Sequence, residues 1–217
     1  MLGPNGCGKS TLLRTLAGLQ PALAGEIRFT PQAPDSPLLP STSSLLPKER
    51  LLALVLTERL SLENTTIYDI VAMGRYPYTD MLGTLSAKDK QGISKALQIV
   101  GGLNAERTFN SLSDGEKQRV LIAKAIAQDT PIILLDEPTA HLDLPNRIHT
   151  LQLLRRLAHE EGKTILISTH ELDLALALSD RILLMSTDGV ALDTAANLKA
   201  DGAFERAFKM DIFHPLC

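Results

Sequence analysis

The chain opens MLGPNGCGKST, and by its third residue it is inside a glycine-rich loop. Gly3, Gly8, Lys9 and Ser10 fit the spacing G-x-x-x-x-G-K-[ST]. A loop of this kind leaves the end of a β-strand and opens a helix, so it constrains the fold more than any other feature. Its glycines let successive backbone N–H groups converge on phosphate oxygens without a Cβ in the way. The helix adds free N-terminal amides and a dipole. Lys9 is placed to reach the β- and γ-phosphates of a nucleotide, and Ser10 to hold Mg²⁺. The plain alternative is a glycine turn with an incidental lysine. Average residue frequencies produce the pattern by chance in roughly one chain of this length in a hundred.

The remaining length must supply the sheet. With 217 residues, 44% hydrophobic and 22% charged, the composition is that of an ordinary soluble chain with one sizeable α/β core. A net charge of −3 argues against wrapping nucleic acid and against a polybasic membrane anchor. No apolar run reaches the ~18 residues of a membrane span, and the N-terminus has no signal pattern. The two cysteines, Cys7 and Cys217, do not make a disulfide framework, which favours a reducing compartment.

Periodicity predicts the elements. Leu12, Leu13, Leu16 and Leu19 share a helical face that Pro21 should end, and GEIRF (25–29) reads as a short strand. Prolines 31, 34, 37, 40 and 47 make the next stretch a loop, and LLALVL (51–56) is strand-like. From about Ser61 to Gly102 the pattern is helical. Ser86 with Asp89 starts a helix whose apolar stripe is Ile93, Ala96, Leu97 and Val100, and Ser113 with Glu116 starts another. PIILLDE, TILISTH and RILLMS read as buried strands. The helix between the first two has Pro145 near its start and Gly162 at its end. Apolar strands alternating with amphipathic helices imply a mostly parallel sheet covered on both faces. Residues of about 61–128 read as an inserted helical subdomain, with 1–60 and 129–217 as the catalytic core of a single domain.

Two further stretches carry chemistry. Asp136 ends an apolar strand, where a phosphate-loop ATPase keeps the carboxylate that orients Mg²⁺, directly or through water. Glu137 follows, and strand alternation points it the other way, as a second carboxylate to polarise an attacking water. His170 ends the next strand, at the sheet edge where ligands bind in such folds, in the position of a γ-phosphate sensor. Acids at a strand end, or a histidine after one, are usually turn and surface residues when isolated; behind a phosphate loop they become site residues. SLSDGEKQRV then sets Ser113, Gly115 and Glu116 at a helix start, with a hydroxyl and amides aimed outward as a second anion site. One chain needs a single phosphate cradle; two chains arranged head to tail use both.

These four motifs, in order from residue 3 to 170, resemble the nucleotide-binding subunits of ABC transporters. GPNGCGKST looks like their phosphate loop, LSDGE like the signature motif L-S-G-G-Q, ILLDEPTAHLD like the Mg²⁺ strand and D-loop, and STH like the switch histidine. The resemblance implies an ATP and Mg²⁺ site made of Gly3, Pro4, Asn5, Gly6, Cys7, Gly8, Lys9, Ser10 and Thr11, closed by Ser113, Gly115 and Glu116 of a second copy. Glu137 and His170 would be catalytic, Asp136 and Ser10 would serve the metal, and Asp143 would communicate across the homodimer. It also implies membrane permease subunits, a substrate-binding protein acting through them, no nucleic acid, and a peripheral place on the cytoplasmic side of the inner membrane.

This sequence departs from the family pattern in several places. Asp114 stands where the signature has glycine, and Thr57 and Glu58 stand where a metal-contacting glutamine is usual. The strands that precede the loop, and their adenine-stacking aromatic, are not in the sequence, so the chain is expected to be N-terminally truncated. ENTTIYDIVAMGRYPYTD and GAFERAF resemble importer cassettes for iron chelates, haem and cobalamin, with Tyr76, Pro77 and Tyr78 expected to face a permease. The rival is a non-transport ABC ATPase of translation or DNA repair. Such proteins usually carry two cassettes or a long coiled coil, and neither is present here.

Overall fold

The computed structural model of the protein describes residues 1–29, 47–56, 64–187 and 189–209. Thr57, Glu58, Cys217 and nearly all of the proline-rich stretch lie outside the described residues. In chain order the elements are α1 (Lys9–Leu16), α2 (Lys48–Leu51), β1 (Leu52–Val55), α3 (Ile67–Met73), α4 (Ala87–Ile99), α5 (Asp114–Ala127) and β2 (Ile132–Asp136). There follow α6 (Leu144–His159), β3 (Thr164–Ser168), α7 (Leu172–Leu178), β4 (Ile182–Ser186), β5 (Gly189–Asp193), α8 (Ala195–Ala200) and α9 (Ala203–Phe208).

β1, β2 and β3 form a parallel sheet in that order, with Leu52 opposite Ile132 and Asp136 opposite Ser168. Alternation along β2 shows how both faces are covered. Ile133 and Leu135 join the core under α3–α6, while Leu134 packs with Leu13 of α1 and Met185 of β4. β4 and β5 are an antiparallel hairpin, and fully buried Leu2 links it to the sheet through parallel bridges to Thr169 and Leu184. β5 was not foreseen, although Asp188-Gly189 between two β-prone runs is a hairpin signal. β3 is only half-buried, against the expectation of a buried strand, because Ile165, Leu166 and Ile167 line an open cleft of about 490 Å³ that reaches Leu183.

Two other expectations are corrected. α1 stops at Leu16, because Gly18 at φ 76° turns the chain left-handed. The Gly18 and Leu19 amides then donate to Thr15 O and Arg14 O, closing the helix before Pro21 and leaving Leu19 65% exposed. Residues 25–28 form no strand: Glu26 and Arg28 pair with each other at 2.6 Å in solvent, and only Phe29 turns toward the core.

The helical layer follows its sequence signals closely. Ser86/Asp89 and Ser113/Glu116 are complete capping boxes, as is Thr66/Asp69. Ile93, Ala96, Leu97 and Val100 are all buried. α3 and α5 approach so closely at Gly74 that a Cβ there would lie 2.3 Å from Lys124 O. Next to it, Arg75 is buried and donates to Asp89 Oδ1 and Ala127 O, both at 2.8 Å, so one side chain ties α3, α4 and α5. No helix among the described residues is long and apolar enough to cross a membrane.

Candidate functional site

The parallel strands deliver their C-terminal ends to one place. Leu2 lies between β3 and β4, so the loop that follows it leaves the same sheet edge as Asp136 and Ser168. Gly3 is required there, because a Cβ would fall 2.2 Å from Met185 O. Gly6 and Gly8, at φ 81° and 96°, make the turns that a Cβ would strain, and no side chain caps the helix that begins at Lys9. Lys9 is buried, its ammonium donating to Gly3 O at 2.8 Å and Pro4 O at 3.0 Å. Two of its three donors therefore brace the loop from within.

A cavity of about 500 Å³ adjoins this loop, lined by Ser10, Asp136, Glu137, Ala140, His141, Arg147, His170 and Glu171. The residues expected to handle Mg²⁺ and the attacking water thus meet at one point. The donor set suits Mg²⁺: a hydroxyl and a carboxylate are hard oxygen ligands, and this ion takes few protein ligands, filling its shell with phosphate oxygens and water.

Glu137 reaches the cavity by a route that strand alternation did not predict. β2 ends at Asp136, and Glu137 adopts φ 44°, a left-handed conformation rare for a non-glycine residue. Such strain costs about 1–3 kcal/mol and persists only where surrounding bonds enforce it. Here the Glu137 amide donates to Ser168 Oγ at 2.9 Å and Ser168 O at 3.2 Å. The turn brings Glu137 to the same cavity as Asp136, instead of the opposite face of the sheet. His170 Nδ1 stands 3.3 Å from Glu137 Oε1.

Sequence reasoning missed the residues that hold this arrangement. Ser168 also donates to Asp136 Oδ1 at 2.5 Å. Arg147 donates to Glu171 Oε2 at 2.8 Å and to Leu142 O at 2.8 Å, while Thr139 donates to Glu171 Oε1 at 3.2 Å. The loop between β2 and α6 is thereby pinned to the residue after His170. A serine opposite Asp136 on adjoining strands was a usable signal; Arg147 and Glu171 carried none.

None of the signature residues lines the cavity. Ser113 caps α5 by accepting from the Glu116 amide at 3.3 Å. The Glu116 side chain folds back onto the helix start. Its carboxylate accepts from Arg107 at 2.6 Å and from the Ser113 amide at 2.9 Å. The Arg107 bond, then the Ser113 amide, hold its pKa down to about 2. Asp114 is exposed, and Gly115 is buried so tightly that a Cβ would meet Asn146 at 2.7 Å. Asn146 is the partner of Asp143, whose carboxylate caps α6 by accepting from the Asn146 amide at 3.0 Å and its side chain at 2.7 Å.

A nucleotide-type phosphate loop at the edge of a parallel sheet, with two acids and a histidine facing it, defines the class: a phosphate-loop ATPase cassette. The profile of the ABC transporter family matches residues 1–140, and the chain belongs to that family. It is 38% identical over 193 residues to an ABC transporter ATP-binding protein of Methanocaldococcus jannaschii, covering 88% of this chain but 64% of that one. It is 35% identical to the achromobactin transport ATP-binding protein of Dickeya dadantii, covering all of this chain and 82% of the relative. Among solved structures, an inward-facing ABC transporter assigned to the metal-chelate type superposes with a TM-score of 0.82. The two are 31% identical, over 96% of this chain and 76% of that one.

Proposed function

We propose that the chain is the ATP-hydrolysing subunit of an ABC importer for a metal chelate, the class spanning iron-siderophore, haem and cobalamin cargo. The observation that carries the hydrolytic part is the convergence of Ser10, Asp136, Glu137 and His170 on one cavity beside the Lys9 loop. Gly3, Pro4, Asn5, Gly6, Cys7, Gly8, Lys9, Ser10 and Thr11 bind the ATP phosphates, with Ser10 and Asp136 serving Mg²⁺. Glu137 positions and deprotonates the attacking water, and His170 senses the γ-phosphate. The cargo class is supported by the relative named for achromobactin transport and the metal-chelate transporter.

The proposed working form is a homodimer in which Ser113, Gly115 and Glu116 of one copy close the ATP site of the other. This reading is supported by the absence of those residues from the lining of their own chain's cavity. Asp143, through Asn146, touches the signature helix at Gly115 and so is suited to relay closure. In this reading, residues of about 61–128 are the helical arm and 1–60 with 129–217 the catalytic core. Permease subunits hold the dimer at the cytoplasmic face of the membrane, with a substrate-binding protein acting through them. Exposed Tyr76, Met81 and Leu82 on the arm are available for that contact, whereas Tyr78 lies under Arg75 and Arg50.

Steady-state hydrolysis of Mg²⁺-ATP by the chain and by Glu137→Gln tests the assignment. The variant should bind ATP with parental affinity and lose about 10²–10⁴-fold in turnover. Equal turnover would remove Glu137 from the mechanism.

A further inference from the structure

We infer, resting on the hydrolytic reading above, that Ser168 is a positioning residue that sets both site carboxylates through one hydroxyl. Ser168 is fully buried and lies directly opposite Asp136 in the β2–β3 register. Its Oγ–H donates to Asp136 Oδ1 at 2.5 Å, and the same oxygen accepts the Glu137 amide at 2.9 Å. The hydroxyl is thus used as donor and acceptor at once, toward two consecutive residues with different roles. The donated bond fixes the rotamer of the carboxylate beside Ser10. The accepted bond helps hold the Glu137 backbone at φ 44°, the conformation that turns Glu137 into the cavity. A fixed donor to a metal-serving carboxylate tunes how well that carboxylate is aimed, and removing such a partner typically costs tenfold or more.

The position also explains why the latch is a serine. At a fully buried strand end, a single hydroxyl presents one donor and one acceptor from the same atom. Alanine keeps the fold of the strand and deletes both bonds. Threonine keeps the hydroxyl, and valine is its equally shaped apolar counterpart.

The test compares Ser168→Ala, Ser168→Thr and Ser168→Val in the full chain, reading kcat, KM for ATP and the Mg²⁺ concentration at half-maximal rate. Each variant is also melted to give the folded fraction. Ser168→Thr should keep kcat within about threefold of the parent, while Ser168→Val and Ser168→Ala lose about tenfold or more. KM for ATP should stay within about twofold, and the Mg²⁺ requirement should rise in the two variants without a hydroxyl. If Ser168→Ala does not fold, the threonine and valine pair decides. Valine matching threonine in kcat and Mg²⁺ requirement, or losses that only follow the folded fraction, would overturn the inference. A parent chain that hydrolyses no ATP would defeat the hydrolytic reading instead. In that case, Mg²⁺-dependent binding of a non-hydrolysable ATP analogue still tests the latch. A higher half-saturating Mg²⁺ concentration in valine than in threonine supports it, and identical values refute it.

Discussion

At Glu116 one residue carries a cap, an ion pair and a proposed ligand role together. Its folded pKa, about 2, lies below the ordinary 4.5 because Arg107 and the Ser113 amide favour the charged form. A depressed carboxyl contributes stability that is complete above its unfolded pKa and lost as pH falls through the folded one. Unfolding midpoints in urea should therefore show Glu116→Gln less stable than the parent at neutral pH. The gap should narrow from about pH 4.5 and close near pH 2. A gap that stayed constant through this window would mean the charge contributes nothing. The residue scale is also where the sequence was least transparent. The meeting of Ser10, Asp136 and His170 at one cavity was legible because motif spacing encodes it. The left-handed turn at Glu137 was not, since it depends on a serine 31 positions away in the chain.

Elements with local signals were legible, and those whose limits depend on neighbours were not. α4 and α5 began where their capping boxes said, because a cap is chemistry within four residues. GEIRF alternated like a strand but forms none, since a strand exists only with a ladder. α1 ended early because Gly18 overrode the leucine periodicity. Arg75 shows how a loop motif can be structural: GRYPY supplies the cation that neutralises buried Asp89 and bonds the end of α5. Removing one partner of a buried pair typically destabilises by about 3–5 kcal/mol. Thermal unfolding of Arg75→Ala should accordingly shift down by roughly 10 °C for a domain of this size. A melt unchanged within about 2 °C would show that the three helices hold together without it.

At the scale of the whole molecule, Ser10 of the glycine-rich loop, Asp136 at the end of β2 and His170 share one cavity, which none of Ser113, Gly115 and Glu116 lines. In the proposed reading, these are two halves of a nucleotide site that come together only between two copies of the chain. Hydrolysis is then expected to be a property of paired chains, with Ser113 of each copy proposed to complete the site of the other. The most direct measurement is the initial rate of Mg²⁺-ATP hydrolysis across a dilution series, with the oligomeric state followed in the same samples. The rate should rise more steeply than in proportion to chain concentration, and the rate per chain should vanish in demonstrably monomeric protein. A rate strictly proportional to concentration, down into monomeric protein, would contradict the account.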